Sequence, residues 1–244
     1  MAKKVLFVVE GGKAENDLIV KTFKRVMKLS NEEVEVIKYR TVLYDLYDRI
    51  EGGEYDSLID YLWVNHKNMF NGEYNKPRDY FSSIYLVFDF DPQDERFSIK
   101  KCEWLIEYFS DETRNGKLYF NYPMVESLID FLDLSQKKFN RRVVSRKNLK
   151  GDTYKDRVNR DSLVKKYPRK YSLKNNSFLF ILINMHFNKY LFLCDKDDEC
   201  EVDSMLLFEN ELSFYHDGKI SIINSAILLL CDYNMEIIKN LKIK

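Results

Sequence analysis

Glycine and proline are scarce in this chain, 8 and 4 of 244 residues. That excludes collagen-like and low-complexity architectures, which are built on those residues. Cysteine is as rare. Cys102, Cys194, Cys200 and Cys231 form no CxxC pair and stand in no zinc-type spacing with histidine. They read as reduced thiols of a cytoplasmic protein, with Cys231 as a small core residue. His66, His186 and His216 lie too far apart in sequence for a zinc site or a catalytic triad and read as structural. Long apolar runs are missing too. Phe178–Ile183 and Ala226–Cys231 are the longest, against the ~20 residues a bilayer crossing needs, so no membrane is expected as partner. Val5–Val9 is too short for the core of a secretory signal. GxGxxG and Walker A sequences are absent, so the chain is not expected to hydrolyse a nucleotide. No internal repeat is visible. An excess of charge of one sign is also lacking: 39 Lys and Arg balance 39 Asp and Glu.

What is present is a large apolar fraction, 45%, with 17 Tyr and 17 Phe. Such a chain buries a core without staples and is not disordered as a whole. Its length suits one large domain or two small ones. The balanced charge hides a division. Residues 1–136 carry 18 basic and 25 acidic side chains, residues 137–170 carry 14 and 3, and residues 171–244 carry 7 and 11. A basic stretch concentrated between acidic parts is a local footprint for a polyanion. Phe139, Tyr154, Tyr167 and Tyr171 are interleaved in it and offer faces for base stacking. A solvated surface segment paired with neighbouring carboxylates is the bland alternative.

The first half alternates strand and helix signals. Val5–Val9 is a buried strand followed by the turn Glu10-Gly11-Gly12, and Ala14 to Met27 carries apolar residues at helical spacing. Val34 to Tyr39 is a second strand. Leu43–Ile50 and Ser57–Asn68 read as helices, Phe70–Phe81 as a loop, and Ile84–Phe88 as a third strand running into Asp89-Phe90-Asp91-Pro92. Ser98–Phe109 is a helix, Leu118–Asn121 a fourth strand, and Val125–Leu134 opens another helix. Continuous apolar strands alternating with helices predict an α/β fold: a four-stranded, mostly parallel sheet flanked by helices. After it come Phe178–Tyr190, Ser204–Phe214 and Ile220–Met235, which read as helices and make a mainly helical C-terminal part. The acidic run Asp195–Asp203 lacks the central Gly and terminal Glu of a calcium loop and reads as solvated. The expected division is residues 1–136 as the catalytic domain and residues 137–244 as the basic segment with the helical part.

In parallel sheets functional groups gather at the carboxyl ends of strands. Here those ends are acidic: Glu10 after the first strand, Asp89 and Asp91 after the third, Glu126 shortly after the fourth. Side chains alternate along a strand, which sends Asp89 and Asp91 to one side. Two carboxylates so placed repel each other, and a divalent cation relieves them. All-oxygen donors suit Mg²⁺ or Mn²⁺. Asp94 and Glu95, by contrast, precede a helix and read as acids of its first turn.

Val8-Val9-Glu10-Gly11 before a helix, followed by Leu86-Val87-Phe88-Asp89-Phe90-Asp91, resembles the Toprim domain of topoisomerases, bacterial primases and several nucleases. The resemblance spans roughly residues 3–135. It implies a Toprim-like sheet and metal-dependent phosphodiester chemistry, with Glu10 as general acid/base and Asp89 and Asp91 as metal ligands. Among these proteins the chain is most similar to stand-alone nucleases of the RloB and OLD types, components of bacterial anti-phage systems that are often paired with an ABC- or AAA-type ATPase. Tyr122-Pro123-Met124-Val125-Glu126-Ser127 resembles the extra acid of the OLD type, which implies Glu126 as ligand of a second metal. The pattern also departs from the family. Position 14 is Ala where many OLD-like members have a second Glu, leaving Glu15 as the nearest acid, and Asp91 is followed by Pro92. A strand-passing or primer-making enzyme is therefore not expected.

Three functions fit these residues. One is a Mg²⁺-dependent endonuclease cutting DNA or RNA, tRNA included, with Lys137, Lys138, Arg141, Arg142, Arg146 and Lys147 gripping the backbone. The second is a non-catalytic nucleic-acid-binding subunit of an ATPase-gated defence complex. The third is a Mg²⁺ phosphotransferase acting on another substrate, which the Glu-Gly turn and the basic segment fit less well.

Overall fold

The runs of β-branched and aromatic residues become strands: β1 (Lys4–Val9), β2 (Val34–Lys38), β3 (Phe81–Asp89), β4 (Ser110–Asp111) and β5 (Gly116–Tyr122). The computed structural model describes residues 4–11, 13, 15–40, 42–65, 80–149, 153–197 and 201–233. The sheet order is β2-β1-β3-β5-β4. The first four are mutually parallel, and β4 runs antiparallel to β5. The fold is thus α/β, with the four expected strands as its parallel part and helices on both faces.

A π-helical turn, Asn16–Val20, leads into α1 (Lys21–Met27) on one face. Phe23 of α1 meets Phe7 edge-on, ring centres 5.0 Å apart, and packs on Tyr85. On the other face lie α2 (Leu43–Glu51) and α4 (Ile99–Tyr108), the buried Tyr44 of α2 beside Cys102 of α4, with α3 (Leu58–Asn65) between them in sequence. The Ser57–Asn68 helix signal is realised as α3, its last residues lying outside the described set. So do residues 70–79 of the expected loop, whereas Phe81 already belongs to β3.

The basic stretch is folded rather than a linker. It forms α5 (Gln136–Asn140), β6 (Val143–Ser145), a 3-10 turn (Arg146–Leu149), α6 (Thr153–Asp161) and α7 (Leu163–Lys166). Then come α8 (Asn176–Cys194) and α9 (Ser204–His216). α8 has the length and apolarity of a membrane span, yet 61% of that stretch is buried within the fold, as in a core helix. His186 of α8 is fully buried, and its Nδ1 accepts the Asn224 N–H at 3.1 Å while Nε2 donates to the Leu128 carbonyl at 3.3 Å. Cys102, Cys194 and Cys231 are buried and form no disulfide among the described residues; Cys200 and His66 lie outside the described residues.

Two expected helices fold otherwise. Val125–Leu134 gives only a 3-10 turn, Val125–Ile129, because the next residue, Asp130, turns its carboxylate inward onto Arg142, Tyr154 and Arg157. Ile220–Met235 becomes β7 (Lys219–Ser221), β8 (Ile223–Asn224), a 3-10 turn and α10 (Leu229–Tyr233), with the residues beyond 233 outside the described set. Its β-branched Ile220, Ile222 and Ile223 take extended backbone once neighbouring edges are on offer. β7 pairs with β6, and β8 pairs antiparallel with β5. The second half thereby joins the main sheet. Lys117 and Tyr119 of β5 both donate to Asp232, at 2.7 and 2.8 Å, and Ser204 and Ser225 donate to carbonyls of β5. All seven residues of β5 are buried.

Candidate functional site

β1 ends at Val9, and the next residue turns off the sheet while still tied to it. The Glu10 N–H reaches the Val87 carbonyl at 3.3 Å, and the Glu10 carbonyl accepts the Arg40 N–H at 2.8 Å. With its backbone clamped by both neighbouring chain segments, Glu10 lays its side chain across the end of β3. Its Oε2 accepts the Asp89 N–H at 3.1 Å. The β3–β5 register sets Asp89 opposite Asn121, whose Nδ2 donates to Asp89 Oδ1 at 3.2 Å. Asn121 Oδ1 is buried and has no partner among the described residues. The Phe90 N–H stays on the Asn121 carbonyl at 3.0 Å, so Asp91 follows at the same sheet end, where its Oδ1 accepts the Gln93 N–H.

Glu15, at the start of the helical segment after β1, turns back so that its Oε1 accepts the Gly11 N–H at 3.1 Å, and it is buried. Glu15 thus folds back over the turn that follows β1. Glu126 is buried in the 3-10 turn after β5, 3.4 Å from the Lys155 ammonium. Two adjoining cavities share Asp89 and Met124. One, about 390 Å³, is lined by Glu10, Asp89, Asp91 and Asp94 with Phe90 and Leu149. The other, about 640 Å³, is lined by Glu15, Asp89 and Glu126 with Lys13, Lys155, Asn159 and Lys165. All five predicted acids therefore open onto one continuous region at the carboxyl ends of the parallel strands. Asp94 joins them, although it is also paired with Arg96.

The electrostatics follow from this crowding. Burial pushes the Glu10 carboxyl up to about 7, and the Glu15, Asp91 and Asp94 charges push the same way against the Asp89 N–H bond. Asp89 is held well above the usual carboxylate range, first by burial, then by Glu10, Glu15 and Glu126. Asn121's bond opposes that rise. Crowded acids raised in this way are groups that a cation would relieve, and the donors are hard oxygens that suit Mg²⁺ or Mn²⁺. The set is not preassembled: among the described residues no three such groups meet as a ready metal cluster. A cation would have to draw the carboxylates inward.

Comparison with family models, with curated proteins and with solved structures finds no match.

The six predicted backbone-gripping residues line neither cavity. Lys137, Arg141 and Lys147 are exposed. Lys138 pairs with Asp133 at 2.7 Å, Arg142 with the buried Asp130 at 2.7 Å, and Arg146 lies 4.0 Å over the Tyr215 ring. The bases that do border the acids are Lys13 and, from the far half of the basic segment 137–170, Lys155 and Lys165, with Asn159 beside them. The i, i+4 spacing of Lys155 and Asn159 was the available signal for one shared helix face. Nothing in the sequence alone pairs Asn121 with Asp89, since that depends on strand register.

Proposed function

We propose that this protein is a Mg²⁺- or Mn²⁺-dependent endonuclease acting on phosphodiester bonds of DNA or RNA. The observation that carries this is the Glu10–Asp89 arrangement. Two carboxylates from adjacent parallel strand ends share a hydrogen-bonded junction, are both raised by burial and by neighbouring carboxylates, and open onto a cavity with Asp91. Asp89 and Asp91 would hold a cation in the smaller cavity, and Glu15 and Glu126 with Asp89 a second one in the larger. The cation would supply charge neutralisation at the phosphate and a more acidic bound water. The protein's own residues have distinct tasks. Glu10, held near 7, takes or gives a proton at its carboxylate near neutral pH. Asn121 fixes the Asp89 carboxylate by its 3.2 Å bond. Phe90, Met124 and Leu149 keep part of the cavity wall apolar.

The test is cleavage of plasmid, single-stranded DNA, total RNA and tRNA by the purified chain, with Mg²⁺, Mn²⁺ or EDTA, beside Glu10→Gln. Metal-dependent cutting that disappears in the variant is the expected result. Metal-dependent cutting that survives in Glu10→Gln, or no cutting of any substrate, overturns the assignment.

The dispersed state of the carboxylates favours one other function, a nucleic-acid-binding subunit gated by a partner ATPase. In that case Glu10→Gln leaves the activity of the assembled complex unchanged. A role as effector of anti-phage defence, and an ABC- or AAA-type ATPase as partner, are supported by the Toprim resemblance alone.

A further inference from the structure

The larger cavity carries both signs of charge. Its floor is acidic, with Asp89, Glu15 and Glu126, and its rim holds three lysines from three separate places in the chain, beside Asp17, which is paired with Lys21. Lys13 comes from the turn after β1, Lys155 from α6 and Lys165 from α7. We propose that this lysine rim, and not the basic run at 137–147, grips the sugar–phosphate backbone of a nucleic-acid strand beside the acidic centre. The proposal rests on the nucleic-acid substrate class given above.

Three observations support it. The first is proximity: the Lys155 ammonium stands 3.4 Å from Glu126, so positive charge lies directly at the edge of the acids. A phosphate bound on the solvent side of this ammonium would be held beside the carboxylate centre. Lysine serves such contacts as a point charge. The second is that the rim is built on a fixed element. Arg157 of α6 makes two bonds to the buried Asp130, at 3.2 and 2.6 Å, and Tyr154 of the same helix adds a third at 3.1 Å. Tyr154 and Val158 are buried beneath the helix. Lys155 and Asn159, one turn apart, are thereby held toward the cavity, Asn159 with an amide able to bond phosphate or sugar. The third is negative. Of the run at 137–147, Arg142, Lys138 and Arg146 are engaged by Asp130, Asp133 and Tyr215, and none of the six lines the cavity. The cavity volume, about 640 Å³, is within the range of sites that enclose a ligand.

The experiment measures binding of fluorescein-labelled single-stranded DNA and RNA oligonucleotides by anisotropy, in EDTA so that cutting plays no part, across a salt series. Wild type is compared with Lys155→Ala/Lys165→Ala and with Arg141→Ala/Lys147→Ala, each confirmed as folded by circular dichroism and melting temperature. Each strand-neutralising lysine contributes about 0.7 to the slope of log K against log salt for a single strand. The Lys155/Lys165 variant should therefore flatten the slope by about 1.4, and the Arg141/Lys147 variant should leave it unchanged. The DNA and RNA arms tell which backbone the rim prefers. An unchanged slope in the Lys155/Lys165 variant, or a loss confined to the Arg141/Lys147 variant, overturns the proposal. The nuclease assignment fails separately: a chain that binds through the rim but never cuts sinks the nuclease and leaves the grip standing. A chain that binds neither oligonucleotide sinks the grip.

Discussion

Burial, with the Glu15, Asp91 and Asp94 charges, raises the Glu10 carboxyl, and burial with Glu10 raises Asp89; the consequence is a pH-dependent cost. An acid whose folded pKa lies above its unfolded value is destabilising once ionised. For Glu10 that cost is absent below about 4.5, grows as pH rises, and is complete above about 7. At most it is roughly 3 kcal/mol, from the size of the shift. Glu10→Gln should therefore be more stable than wild type above pH 7 by about 1–3 kcal/mol, and the two should converge in acid. Urea unfolding at several pH values measures this. In the same pH range Mg²⁺ should raise the melting temperature of wild type and not of Asp89→Asn, which lacks the carboxylate shared by both cation positions. Gly11 offers a second residue-scale test. A Cβ there would lie 2.8 and 2.9 Å from the two Glu15 carboxylate oxygens, which must swing away. Gly11→Ala should cost less than about 1 kcal/mol of stability, because only a side-chain tip moves. It should lower metal-dependent cleavage about ten-fold, as disturbed ligand support does. Near-normal melting with reduced cleavage is the expected pair of readings. At this scale the acids were legible because strand ends concentrate function, whereas Asn121 was not, because its role appears only when β3 and β5 are in register.

At the scale of elements, the four parallel strands were legible from continuous apolar runs, and α1, α2, α4, α8 and α9 from their apolar spacing. The stretches after β5 and around Ile220 were not, because tertiary partners override helix periodicity there. Asp130 shows how. Four hydrogen bonds, two from Arg157 and one each from Arg142 and Tyr154, satisfy a carboxylate only 1% exposed, and satisfying it interrupts the helix that would otherwise run on from Val125. Asp130 also ties α6 and the segment after α5 to the end of the sheet. Asp130→Ala should destabilise the fold by about 3 kcal/mol, since it leaves two guanidinium groups without their partner. Equilibrium urea denaturation reads that change directly. Asn224 acts similarly at β8: its side-chain nitrogen donates to Val125 and Ser127, and its oxygen accepts from Ile227.

For the whole molecule, the sequence divides at about residue 136, with a helical C-terminal part expected to pack beside the sheet. The contacts place much of the cover of β5 in the second half. β8 extends it, Asp232 takes Lys117 and Tyr119, Ser204 and Ser225 bond its carbonyls, and Phe208 of α9 packs near Phe90. A fragment of residues 1–136 would expose β5 and leave the buried Lys117 without Asp232. It should fail to show a cooperative thermal transition by circular dichroism, whereas the full chain should show one. A cooperative melt of the fragment would instead establish residues 1–136 as an independent domain.

The sequence by itself determined the parallel sheet and the gathering of Glu10, Asp89, Asp91 and Glu126 at one end of it. Both follow from local patterns, apolar strands that stop at acids. Tertiary structure alone decided which bases border those acids, that Glu15 folds back over Gly11, that Asn121 fastens Asp89, and that Ile220–Asn224 extends instead of coiling. Each of these depends on segments far apart in the chain meeting at a particular register, and residue spacing carries no record of that.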